Sequence, residues 1–195
     1  MAECINLQRS LKWCEGTPVL PGVRRRLYYI AKQFIMSWPT LAKDVMGRTT
    51  SASYTGNFVL AADATWKYID ILPAKSQLQS EAQGEKPSQT QLNTLTAVHP
   101  GVGEEATAAA ADLNNCDNVF LVQDMNGKFR VVGSEMFDSD TTVAQDLGQG
   151  ATGTASTTIT VKATDVVPAP FYPGEILTED GKIMGDGSAA TEENV

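Results

Sequence analysis

Between Ala74 and Val98 the chain alternates with period two on both sides of Gly84-Glu85-Lys86-Pro87, a strong turn signal. A period of two puts successive side chains on opposite faces of a strand, so the segment predicts a long hairpin. On its first arm Ala74, Ser76, Leu78, Ser80 and Ala82 share one face, and Lys75, Gln77, Gln79, Glu81 and Gln83 share the other. On its second arm Gln89, Gln91 and Asn93 alternate with Thr90, Leu92 and Thr94. One face is small or apolar, and the other is too uniformly amide-polar for a core. Two strands alone are marginal in water, so the hairpin must join a larger sheet.

The rest of the chain supplies that sheet. RRRLYYIA, NFVLA, ATWKYIDIL and STTITVKAT are dense in β-formers. VFLVQDMNGKFRVVG predicts a hairpin in which Asn126-Gly127 provides the positive φ angles of a tight turn. KQFIMSWPTL predicts a helical turn stopped by Pro39, and PAPFYPGEI an extended, proline-set segment. Residues 47–56 and 134–153 are polar and are expected to be loops. EEATAAAADLN is the one convincing helix: Glu104 and Glu105 favour its N-terminus, and the alanine run has high propensity. The expected class is mainly β, a β-sandwich or open barrel with one flanking α-helix. Its parts are an N-terminal arm over 1–23, a β domain over 24–180 and a polar, acidic tail over 181–195.

Charge and cysteine content remove several function classes. The net charge is −8, without the overall basic footprint that gripping nucleic acid requires. Residues 1–75 hold ten Lys/Arg against five Asp/Glu, and residues 76–195 five against eighteen. Opposed patches of that kind either draw copies of the chain together or cancel within one fold. Three cysteines (Cys4, Cys14 and Cys116) fit neither a disulfide framework nor, with a single histidine, a zinc site, which points to a reducing compartment. The opening residues lack a signal-peptide pattern, and no apolar stretch is long enough to cross a bilayer, so no membrane partner is expected.

The short motifs read as structure. Gly148, Gly150 and Gly153 satisfy G-x-G-x-x-G, but a polar stretch precedes them and a Thr-rich strand follows, where a dinucleotide site needs a strand and then a helix. Asp124-Met125-Asn126-Gly127 resembles the start of a calcium loop without its later ligands. His99, in Val98-His99-Pro100-Gly101, has no sequence partner for base catalysis. Arg24, Arg25 and Arg26 are read as pairing with acidic residues in place of phosphate. Trp13, Trp38, Trp66, Tyr28 and Tyr29 are read as core or interface packing. No enzyme, cofactor or metal is expected.

The order of these pieces resembles the tail tube proteins (major tail proteins) of long-tailed bacteriophages, in the version carried by phages and prophages of Bacteroides-like bacteria. The likeness runs from RRRLYYIA through SWP, WKYIDI, SEAQGEKPSQTQLNTLTAVHPG, EEATAAAADLNNCDN and FLVQDMNGKFRVVGSEMF to GQGATGTASTTITVKATD and PAPFYPGEI. None of these is a catalytic signature, so its specificity rests on their order. The resemblance implies six copies in a ring, their strands joined in one continuous inner barrel. Rings then stack through loops and arms into a tube that conducts double-stranded DNA at ejection. It implies residence in the virion tail, assembly in the host cytoplasm, and tape measure, terminator and baseplate proteins as partners. Lumen candidates are then Lys75, Gln77, Gln79, Glu81, Gln83, Gln89, Gln91 and Asn93. Stacking candidates are Leu7, Leu11 and Trp13 in the arm, Arg24, Arg25 and Arg26, and the loop from Arg48 to Tyr54. Other readings are a different virion ring component (terminator, baseplate or decoration protein) or a ligand-binding β-sandwich module.

Overall fold

The computed structural model of the protein describes residues 6–186. In chain order the elements are β1 (Val23–Ala31), a 3-10 turn (Lys32–Phe34), β2 (Ile35–Ser37), β3 (Thr40–Lys43), β4 (Thr49–Thr55), β5 (Val59–Leu60) and β6 (Lys67–Asp70). A second 3-10 turn (Pro73–Lys75) leads to β7 (Gln77–Gln83), β8 (Thr90–Pro100) and α1 (Glu104–Leu113). Then come β9 (Asn118–Asp124), β10 (Phe129–Val132), β11 (Ser139–Asp146), a third 3-10 turn (Gly150–Thr152), β12 (Ser156–Asp165), β13 (Phe171–Tyr172), β14 (Glu175–Thr178) and β15 (Gly181–Met184).

The protein is mainly β, with several sheets that do not close into a barrel. Seven strands form one sheet in the order β3-β4-β13-β10-β9-β1-β6, and four form another in the order β11-β12-β8-β7. The larger sheet is buried on both faces at its centre, which is why β9 reads as an unbroken apolar run (VFLV) without alternation. On one side Leu27, Phe120, Val122 and Val132 meet Leu95, Ala97, Ile159 and Val161 of the smaller sheet, with Leu113 of α1 and Ile71 closing the gap. On the other side Tyr28, Leu121, Phe129 and Val131 pack with Tyr54, Phe58, Trp66, Tyr172 and Ile176. Phe58 is the hub of that second cluster, with ring centroids 4.9 Å from Tyr172, 5.2 Å from Trp38 and 5.4 Å from Trp66. The Tyr172 hydroxyl accepts from Phe58 N at 3.2 Å and donates to Glu175 O at 2.7 Å.

The long hairpin, the helix, the β9–β10 hairpin and the Thr-rich strand stand where the sequence puts them. Four segments differ. Residues 49–55 form β4, not a loop: only Tyr54 of that stretch is buried, so the apolar signal is a single residue, and pairing with β3 supplies the rest. Residues 139–146 form β11 for a similar reason. Its residues pair in unbroken register with Ser156–Ala163 of β12, yet only Thr141 is fully buried. Residues 181–184, expected in the acidic tail, pair with β14; residues 187–195 of that tail, and the first five residues of the arm, lie outside the described residues. KQFIMSWPTL is helical for three residues only and then extended as β2 and β3. At the β9–β10 turn only Gly127 has positive φ (+92°), while Asp124 closes the turn by accepting from Lys128 N at 3.0 Å.

One buried amide ties the smaller sheet to the chain that crosses its inner face. Asn93 is fully buried. Its Oδ1 accepts from Ser80 Oγ at 2.6 Å and from Ala169 N at 2.9 Å. Replacing Asn93 with Ala strands the Ala169 N–H away from water, and an orphaned buried donor costs about 1–3 kcal/mol. Urea unfolding of dilute protein should show that loss for Asn93→Ala. Gln79→Ala, on the opposite face, should change stability by less than about 0.5 kcal/mol.

Candidate functional site

The outward face of the smaller sheet is the most unusual surface of the molecule. Its rows follow from register, because directly opposed residues share a face. Gln77 opposes Thr96, which opposes Thr160, which opposes Thr142. Gln79 opposes Thr94, then Lys162, then Asp140. Glu81 opposes Leu92 and then Thr164, and Gln83 opposes Thr90. Threonine suits this surface: its branched side chain favours strands and its hydroxyl tolerates water. The Gln83 amide donates to Thr90 Oγ1 at 3.2 Å and to Thr164 Oγ1 at 2.9 Å, knitting the carpet across three strands. Solvated faces normally intersperse lysine and glutamate. This one carries three acids (Glu81, Asp140 and Asp146) and one lysine (Lys162) across four strands.

The structure divides the expected lumen set. Gln77, Gln79, Glu81 and Gln83 are on the outward face. Gln91 and Asn93 are not: Ala82 opposes Gln91 and Ser80 opposes Asn93, so both turn toward the core side. The sequence reading assumed that odd-numbered residues on the two arms share a face; the register pairs odd with even, and a one-residue slip inverts every side chain. Lys75 ends a 3-10 turn and Gln89 lies in the hairpin turn, so neither is in the sheet. What the sequence missed is the threonine half of the face, Thr94, Thr96, Thr158 and Thr160. The alternation in STTITVKAT was the available signal.

The two edges of this sheet differ. β7 has no further strand beside it among the described residues. At β11 the helix intervenes: Asn114 Oδ1 accepts from Val143 N at 2.8 Å, and Thr107 Oγ1 donates to Gln145 Oε1 at 3.2 Å. One edge is therefore open and the other partly covered.

The expected stacking residues fall into three groups. Leu11 (95% exposed) and Trp13 (66%) stand out from the surface, and Leu7 is half-buried. Arg24 and Arg25 are exposed, whereas Arg26 stacks over the Tyr68 ring and pairs with Asp70 at 3.1 Å. Arg48 pairs with Asp44 at 2.7 Å inside the β3–β4 turn. Tyr54 is a correction: it is buried in the aromatic core, where desolvation pushes its phenol pKa well up, and it has no surface to offer except into one cavity. Trp66 and Tyr28 are likewise core. His99 Nδ1 lies 2.7 Å from Asp70 O. The G-x-G-x-x-G segment is the β11–β12 connection, and a Cβ on Gly153 would collide with the Gln149 backbone.

That cavity, of about 250 Å³, is lined by Trp38, Leu41, Tyr54, Met136 and Asp165, with Lys43 and Glu135 also in its lining. Asp165 is 2% exposed; its Oδ1 accepts from Val166 N at 2.6 Å, but its Oδ2 has no hydrogen-bond partner among the described residues. Burial pushes the carboxyl up to about 6, against the backbone N–H groups of Val166 and Val167.

Comparison with protein-family models, with curated proteins and with solved structures finds no match to the chain.

The Asp165 carboxyl carries a pH prediction. Folded, it holds its proton to about pH 6; unfolded, it releases it near 3.8. Between those values the folded chain binds more protons, so this group favours folding at pH 4 and that contribution is lost as pH rises through 6. Tyr54, whose phenol is pushed further up by burial, shares the cavity with Glu135 and Lys43. Urea unfolding should show Asp165→Asn gaining up to about 2–3 kcal/mol over the parent chain at pH 7.5. At pH 4 the gain should vanish.

Proposed function

We propose that the chain is a wall subunit of a phage tail tube, with six copies in a ring, rings stacked end to end, and the Gln/Thr face of the smaller sheet lining a water-filled bore. The observation that carries this reading is that face: four strands wide, nearly uncharged, and ending on one side at the open edge of β7. A tube wall has to be sheet and channel lining at once, and closing it removes the exposed edge. A lining with more acid than base keeps a duplex from sticking, since basic side chains would gain affinity by releasing counterions from its phosphates. The tape measure, terminator and baseplate proteins of such a tail are the partners this role would require.

The geometry is of the right scale. Six copies of a four-stranded sheet, about 4.8 Å apart and tilted about 40°, close at a backbone diameter of roughly 45–50 Å. Inward side chains leave a bore of about 40 Å, wider than a duplex of roughly 20 Å. Closure through β11 requires a neighbouring β7 to engage an edge that Asn114 and Thr107 partly cover, so α1 would adjust on ring formation.

Raising the concentration of purified protein and viewing it by negative-stain microscopy tests the reading. Six-fold rings or tubes of indefinite length are expected; a chain that stays monomeric at high concentration contradicts it, and single rings that never extend favour a terminator or baseplate part. A second test addresses the bore. Thr94→Lys combined with Thr160→Lys should leave assembly intact and make the tubes retain duplex DNA in co-sedimentation, with retention falling steeply as salt rises. Parent tubes should retain little at any salt.

A further inference from the structure

The Asp165 cavity is unexplained by the bore. An ionised carboxylate oxygen held away from water without a partner is a standing cost to the isolated fold. Lys43 lies in the same lining and forms no ion pair with it among the described residues. The walls contributed by Trp38, Leu41, Tyr54 and Met136 are apolar or aromatic. Such a site suits one kind of occupant: a long side chain with an aliphatic stem and a cationic head, its stem against the apolar walls and its charge against the acid and the aromatic faces.

The chain carries a matching group. The arm ahead of β1 holds Lys12 between Leu11 and Trp13, and all three are exposed. Lys12 has no partner among the described residues. In its own subunit the arm is tied to β4 by the Arg9 guanidinium donating to the Thr50 carbonyl. We propose that the cavity of Asp165, Tyr54, Trp38 and Met136 receives the Lys12 side chain of a second copy of this chain. Repeated head to tail, with Lys12 of each copy in the Asp165 cavity of the next, the contact propagates from copy to copy. The inference rests on the tube reading and gives its ring-to-ring contact a specific lock.

The proposal makes stability and assembly move in opposite directions. Asp165→Asn keeps the shape and the Val166 contact but removes the buried charge. The isolated chain should therefore become more resistant to urea at pH 7.5, while the concentration for half-assembly, read by sedimentation, rises at least tenfold. Lys12→Met should leave urea resistance unchanged and raise that concentration similarly. The double variant should assemble no worse than either single one, because both remove the same contact. If both single variants assemble like the parent, the lock is wrong while the tube reading stands. If their effects add in full, the two residues do not meet and the assignment is overturned. Lys43→Met should leave urea resistance at the parent level; lost urea resistance there would make Lys43 the carboxylate's own partner and refute the proposal. A parent chain that never assembles removes the tube reading and this inference together.

Discussion

A strand offers a side chain only two faces, and in the Gln77–Gln83 and Thr90–Pro100 pair the larger sheet makes the choice. Leu78 packs against a core containing Leu95, Phe120, Val122 and Val161, and Asn93 is locked by Ser80 and Ala169 on the same side. Every alternate residue is thereby turned outward, which assembles the glutamines of β7 and the threonines of β8 and β12 into one surface. Slipping the pair by one residue would bury Gln79 and Thr94 and expose Leu78 and Leu95. The candidate lining is thus a consequence of sheet-on-sheet packing, and it is as fixed as the core beneath it.

In the proposed tube the remaining surfaces would divide self-association between lateral and axial directions. An open β7 edge offers backbone hydrogen bonds side to side, and the partial cover over β11 by Asn114 blunts the hazard of an isolated chain with two free edges. In the same proposal the arm and the Asp165 cavity serve the other direction. The acid that weakens the isolated fold there is the one expected to strengthen the assembly, a familiar exchange of stability for function. The basic and acidic halves of the chain, meanwhile, are joined within one fold by Lys32 to Asp117 and Asp138 and by Lys67 to Glu179.

Much of this was legible in the sequence wherever one strong local signal sufficed. Period-two alternation marked β7 and β8, the alanine run marked α1, and Asn126-Gly127 marked a hairpin although only the glycine takes the positive angle. β4 and β11 were missed because an edge or half-exposed strand buries so few side chains that its composition matches a loop. The face of Gln91 and Asn93 was misassigned for a different reason: turn length sets the relative parity of the two arms, and composition does not report it. The burial of Tyr54 and the isolation of Asp165 are properties of residues far apart in the chain. Nothing in TTSASYT or KATDVV distinguishes them.

The central claim is that the Gln79–Thr94–Lys162–Asp140 row faces a bore shared among copies. A cryo-electron microscopy reconstruction of the assembled protein tests it by locating that row relative to the symmetry axis. The account predicts the row on the innermost wall, with β7 of one subunit hydrogen-bonded to β11 of the next. A reconstruction with the row on the outer surface, or with the small sheets unpaired between subunits, would contradict it.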